Sequence, residues 1–121
     1  MEKTKTFKEL IVWQKAHSLV LAIYKETKSF PKDEIYALTR QYRRAAVSIA
    51  ANIAEGYKKK SKPSKLNYLN ISESSLEEVK YYCILAKDLE YISEKEYIKL
   101  ELLSDEVGRL LTGYSNAISR N

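Results

Sequence analysis

An all-α fold, an antiparallel up-down-up-down four-helix bundle, is predicted for this 121-residue chain from three observations. Only 3 Gly and 2 Pro occur, so turns are few and the elements between them are long. Apolar residues recur at three- and four-residue spacing through four successive stretches, the signature of helices with one buried stripe. No Asn-Gly or Asp-Gly pair joins two alternating runs, so no strand hairpin is expected. The breakers place the helices at roughly 8–28, 32–58, 63–91 and 94–119. Connections this short favour antiparallel neighbours. Residues 1–121 form a single domain, long enough to bury its own core.

The first helix carries Trp13, Ala16, Val20, Ile23 and Thr27 on its stripe and ends at "SFPKDE" (29–34). There Pro31, followed by Asp33 and Glu34, suits the opening of the second helix. Its stripe is Ile35, Leu38, Tyr42, Ala45, Ile49 and Asn52, and "GYKKKSKPS" (56–64) closes it. The third presents Tyr68, Ser72, Ser75, Val79, Tyr82, Ala86 and Leu89. At the next break, Ser93 and Glu96 have the spacing of a capping box, each side chain reaching a backbone amide of the other. The fourth helix follows with Tyr97, Leu100, Leu103, Val107, Leu110, Tyr114 and Ala117.

The second helix is unusual in being small and apolar around most of its circumference, with Val47, Ala50, Ala51 and Ala54 outside the main stripe. A helix apolar nearly all round is buried nearly all round. Four helices alone leave each one a solvated side, so the extra cover is expected from another subunit. The same helix carries a polar line of Gln41, Arg44, Ser48, Asn52 and Glu55, within about 80° around the axis. Arg44 and Glu55 stand about three turns apart, too far to pair directly. Ser75 and Glu78 of the third helix are candidate partners. A structural polar layer that sets helix register is the leading reading of this set, and a ligand or RNA site is the alternative.

Chemistry finds little support. The single histidine, His17, lacks the second histidine a carboxylate-bridged di-metal bundle requires, and the single cysteine, Cys83, has no histidine partner in any recognised arrangement. No Gly-rich phosphate loop, nucleophile elbow or HExxH motif occurs. No catalytic, metal or cofactor-binding residue is assigned, and the chain is expected not to be an enzyme. No apolar run approaches the ~18 residues of a membrane span and the N-terminus lacks a signal-like apolar segment, so a cytoplasmic, reducing setting is expected.

Charge divides the chain. Residues 1–65 hold 15 Lys/Arg against 6 Asp/Glu (+9), and residues 66–121 hold 6 against 10 (−4), within a total of +5. Either the halves neutralise each other, within or between subunits, or the basic half meets an anionic partner. Lys58, Lys59, Lys60, Lys62 and Lys65 exceed what a helix C-terminus needs, although a solvated loop is the plain alternative. With Arg40, Arg43 and the N-terminal Lys3, Lys5 and Lys8 they form a candidate phosphate-binding patch, and Tyr36 and Tyr57 are candidates for base stacking.

Three stretches, "FKELIVWQKAHSLVLAIY", "FPKDEIYALTRQYRRAAVSIAANIAEG" and "SLEEVKYYCILAKDLEYI", resemble the small four-helix bundle proteins associated with 23S rRNA intervening sequences. The shared pattern is FPxxE, QxRRAxxSIxxNIAEG and SLxEV, over roughly residues 7 to 115. Its positions here are Phe30, Pro31, Glu34, Gln41, Arg44, Ser48, Asn52, Glu55, Gly56, Ser75 and Glu78, while Ser74 stands where the family commonly has glycine. The resemblance implies an antiparallel bundle that assembles into closed rings, commonly pentamers, with nucleic-acid association and no catalytic residues. The expected function is a non-enzymatic, homo-oligomeric bundle associated with RNA through a basic surface. The alternative is a protein-interaction or scaffold module with no direct nucleic-acid binding.

Overall fold

The computed structural model describes residues 4–121, so Lys3 of the candidate patch lies outside the described residues. Four helices make up the chain: α1 Ile11–Thr27, α2 Leu38–Lys58, α3 Lys62–Asp88 and α4 Glu94–Arg120. Each packs on its chain neighbours and α1 also packs on α4, while the backbones of the two diagonal pairs stay farther apart. This is a four-cornered antiparallel bundle, the architecture expected, with the most extensive corner between α2 and α3.

The helix starts depart from expectation in two places. A 3-10 turn at Phe7–Glu9, capped by the Thr6 hydroxyl accepting from the Lys8 amide, precedes α1 and delays it to Ile11. A second 3-10 turn at Lys32–Glu34 precedes α2, which begins at Leu38 rather than near 32. Burial of Phe30 against the Tyr42 and Tyr91 rings anchors the chain before extended Pro31, and the chain must turn again before α2 can run. The Glu34 carboxylate then accepts from the Leu38 amide at 3.3 Å and caps the helix it was expected to lie in.

The third and fourth helices are delimited by side-chain and backbone caps. Ser61 caps α3, its hydroxyl accepting from the Ser64 amide, with Pro63 in the first turn where no donor is needed. The helix stops at Asp88 because Glu90 takes a left-handed conformation, φ 64°. The Glu90 amide reaches the Lys87 carbonyl and the Tyr91 amide reaches Ala86, closing the end in the manner usually assigned to glycine. The Ser93–Glu96 capping box forms with both bonds.

The core runs through Ala16, Leu19 and Ile23, then Tyr42, Ile49 and Ile53, then Leu76, Val79 and Cys83, then Val107 and Leu111. On α1 Ala16, Ile23 and Thr27 are buried as expected, while at two positions the buried residue is the preceding one: Val12 and Leu19 are inside, and Trp13 and Val20 sit half-buried at the edge. Leu89 and Ala117, at the ends of the expected stripes, and Ile35, ahead of α2, are exposed.

The α2–α3 corner is close because its facing side chains are small. Ser72 is buried and donates to the Ile49 carbonyl at 2.9 Å. Ser75 meets the Ser48 hydroxyl at 2.8 Å. At Gly56 a Cβ would stand 3.0 Å from the Tyr68 Cβ and 3.4 Å from the Lys65 carbonyl oxygen, so only glycine permits this approach. No helix is long and apolar enough to cross a membrane among the described residues.

Candidate nucleic-acid interface

The basic residues of α2 divide between its two ends. Residues 40 and 58 lie eighteen positions apart, roughly 27 Å along the axis, so the arginines and the lysine run are two sites rather than one patch. At the arginine end, Arg43 is committed to the fold. Its Nε donates to the Thr27 hydroxyl at 2.7 Å, an Nη donates to the Tyr24 carbonyl at 3.3 Å, and its guanidinium lies 4.5 Å from the Tyr24 ring centre. It thereby satisfies the C-terminal end of α1. Arg40 is exposed and, with Arg44, Ile35, Tyr36 and Val47, lines an open groove of about 630 Å³. Tyr36 is 83% exposed and Ile35 52%, an apolar lining that nothing among the described residues covers.

At the lysine end the five candidates also separate. Lys65 donates to the Tyr57 carbonyl at 2.8 Å and lies over the Tyr57 ring, holding the last turn of α2. Lys62 donates to the Ser119 carbonyl at 3.2 Å and so does the same for α4. Lys58, Lys59 and Lys60 are exposed, and no ion pair among the described residues involves them. Lys59 also passes 5.2 Å from the Tyr68 ring centre.

The N-terminal segment completes this end. Tyr57 donates to the Thr4 carbonyl at 2.8 Å and its hydroxyl also meets the Thr4 side chain at 2.7 Å, which straps the segment across the end of α2. Lys5 and Lys8 are thereby brought to Lys58 and Lys59 around an open groove of about 580 Å³. Its lining is completed by Thr6, Phe7, Ala54, Glu55 and Tyr57. The meeting of Lys5 and Lys8 with the lysine run is as expected. The lining by Phe7, Ala54 and Glu55 depends on how the strap folds back, which no local pattern signals.

The polar line behaves as two layers. Its inner part is satisfied within the chain: Asn52 donates to the Ser48 carbonyl at 2.8 Å and to the Ser48 hydroxyl at 3.1 Å, and Ser75 joins Ser48. Its outer part is not internal. Gln41, Arg44, Glu55 and Glu78 are exposed in the single chain. Gln41, Arg44 and Glu78 rim a cleft of about 150 Å³ above the two serines, and Glu78 accepts from the Tyr82 hydroxyl at 3.4 Å.

Of the remaining chemistry-bearing groups one is buried and one lies on the surface. Cys83 is buried and free, and burial pushes its thiol pKa up, which suppresses the reactive thiolate. His17 stacks on Trp13, with ring centres 5.0 Å apart and planes 5° from parallel. No group of three or more His, Cys, Asp or Glu able to hold a metal ion occurs among the described residues.

Comparison with known proteins matches residues 8–113 to the profile of a family described as 23S rRNA-intervening sequence protein. A crystal structure of a protein of unknown function, from the S23 ribosomal protein family of Bacteroides thetaiotaomicron, is similar in fold with a TM-score of 0.80. The two share 26% identity over 87% of this chain and 98% of that one. No curated protein matches the chain.

Proposed function

The chain belongs to the 23S rRNA-intervening sequence protein family, and from that premise we propose that it is a non-enzymatic, homo-oligomeric, cytoplasmic bundle that associates with RNA through the lysine end of α2. The observation that carries this reading is the convergence of Lys5 and Lys8 on Lys58 and Lys59 around one groove. Four cations with no ion pair among the described residues form a ready phosphate site, and contacts of this kind dominate nucleic-acid affinity. Assembly into a ring, five-membered as the family resemblance implies, would repeat the groove and multiply weak contacts.

The test is fluorescence anisotropy with a structured RNA across a salt series. Affinity should fall steeply as salt rises, and changing Lys58, Lys59 and Lys60 together to Glu should abolish most of it. Undetectable binding at low salt, or a triple variant indistinguishable from the parent, overturns the reading.

The uncovered arginine end favours a second reading, a scaffold whose partner is protein. Exposed Ile35, Tyr36 and Val47 beside Arg40 and Arg44 have the mixed apolar and arginine-rich make-up of an interface core. The α3–α4 groove is not its acidic counterpart, because Lys80 pairs there with Glu77 and Asp105 and Arg109 lines it beside Glu73. Reversing Arg40 and Arg44 to Glu should then lower the mass seen by light scattering. An unchanged mass removes this face from the assembly.

A further inference from the structure

Glu55 is out of place in a groove built to hold phosphate. It lines the same cleft as Lys5, Lys8, Lys58 and Lys59, is exposed, and has no ion pair among the described residues. A carboxylate there repels phosphate and weakens the lysine field, so a cleft serving the backbone alone is better without it. It accepts hydrogen bonds only, and a planar carboxylate offers two oxygens side by side. The group that answers it is one presenting two adjacent donors.

Among the four RNA bases only guanine does so on its Watson–Crick edge, through N1–H and the N2 amino group. Adenine and cytosine set a single amino group beside a ring-nitrogen acceptor, and uracil flanks its one N–H with two carbonyls. Against each of these, one carboxylate oxygen faces a lone pair. The rest of the lining suits a base as well: Phe7, Ala54 and Tyr57 supply an apolar and aromatic surface, and the volume of about 580 Å³ falls within the small-molecule range of roughly 300–1,000 Å³. Recognition of unpaired bases by their Watson–Crick edges is also how single-stranded RNA is usually read.

We infer that this groove takes a single unpaired guanine from RNA, its N1–H and N2 amino group donating to the Glu55 carboxylate while Lys5, Lys8, Lys58 and Lys59 hold the flanking phosphates. The inference rests on the RNA reading above and adds base selectivity to it. Glu55 is the specificity residue, and the lysines supply affinity that is blind to sequence.

The test uses fluorescently labelled oligouridylates of one length carrying a central guanine, inosine, adenine or cytosine, titrated with the full-length protein. The guanine oligomer should bind about tenfold tighter than the adenine and cytosine ones, the scale of a good bidentate contact. Inosine, which lacks the N2 amino group, should lose most of that advantage. Glu55→Gln should abolish the preference, lowering affinity for the guanine oligomer while raising that for the adenine and cytosine ones by removing a negative charge, and leave the salt dependence in place. Equal, salt-sensitive binding of all four by the unaltered protein overturns guanine selectivity and leaves the RNA reading standing. A guanine preference that survives Glu55→Gln overturns the role of Glu55. No binding to any oligomer or to structured RNA overturns both readings.

Discussion

The Tyr91 hydroxyl donates to the Glu34 carboxylate at 2.6 Å, joining residues 57 positions apart and fastening the α3–α4 turn to the segment before α2. Glu34 does two things at once, since it also caps the Leu38 amide. Glu34→Ala removes both bonds and should destabilise the fold by about 1–2 kcal/mol, within the range of lost caps. Tyr91→Phe removes one bond and keeps the ring against Phe30, so its effect should be smaller. Thermal unfolding of the two variants checks the order, and a Tyr91→Phe loss equal to that of Glu34→Ala would show that the cap contributes nothing.

Two of the helical glycines should respond to alanine with opposite signs. Helix propensity favours alanine by about 1 kcal/mol at either position. At Gly113 a Cβ meets nothing within 4 Å, so Gly113→Ala should stabilise by roughly that amount. At Gly56 the new Cβ would meet the Tyr68 Cβ at 3.0 Å, an atom fixed to the α3 backbone, so the corner must open. Overpacking of this kind costs about 1–3 kcal/mol and outweighs the propensity gain. Denaturant midpoints that move in the same direction for both variants would contradict this account of the α2–α3 contact.

Stability should also carry a pH signature from the α1–α4 edge. Partial burial, and then the neighbouring Glu96 carboxylate, raise the Glu26 pKa above its ordinary 4.5, whereas hydrogen bonding from the Ser93 backbone lowers that of Glu96. A carboxyl whose pKa is raised by folding contributes stability that is complete below pH 4.5 and lost as pH rises through the folded value. At neutral pH the ionised Glu26 is therefore a residual penalty. Glu26→Gln should melt at a higher temperature than the parent at pH 7, with the difference shrinking to nothing near pH 4. A constant difference across that interval would mean that Glu26 does not titrate against Glu96.

The parts of this architecture readable from residues alone are those set by local rules. The four helices follow from their apolar period, and Ser93–Glu96 announces its capping box by spacing. The start of α2 is not readable in this way, because Pro31, Asp33 and Glu34 imitate a helix opening whose displacement to Leu38 depends on Phe30 packing against Tyr42 and Tyr91. The end of α3 is hidden for a related reason: Glu90 fills a left-handed position where glycine is the usual signal. In the candidate site, the lysine run is visible as composition. Its division into groove-lining and helix-capping lysines is not, since Lys62 and Lys65 are fixed by carbonyls of Ser119 and Tyr57 that tertiary packing brings near. The exposure of Gln41, Arg44, Glu55 and Glu78 in the single chain is hidden too, because angular position around a helix axis does not reveal how deeply the neighbouring helix reaches.

That division of the lysines yields a separable outcome. Lys65→Met keeps much of the aliphatic stem over Tyr57 but loses the bond to its carbonyl, which should cost about 1 kcal/mol of stability. Lys62→Ala, at a more exposed helix end, should cost no more than about 0.3–1 kcal/mol. Each removes one positive charge near the groove, so RNA affinity should fall only by the modest, sequence-independent amount that one distant cation supplies. Lys58→Ala and Lys59→Ala should do the reverse. They should leave thermal stability nearly unchanged while weakening RNA binding and flattening its salt slope by about one unit for every phosphate no longer neutralised. Melting curves and salt-dependent titrations on the same four variants decide it. Lysines that affect both properties equally would mean that binding and the α2–α3 turn are not separable, and that the groove exists only while both helix ends are held.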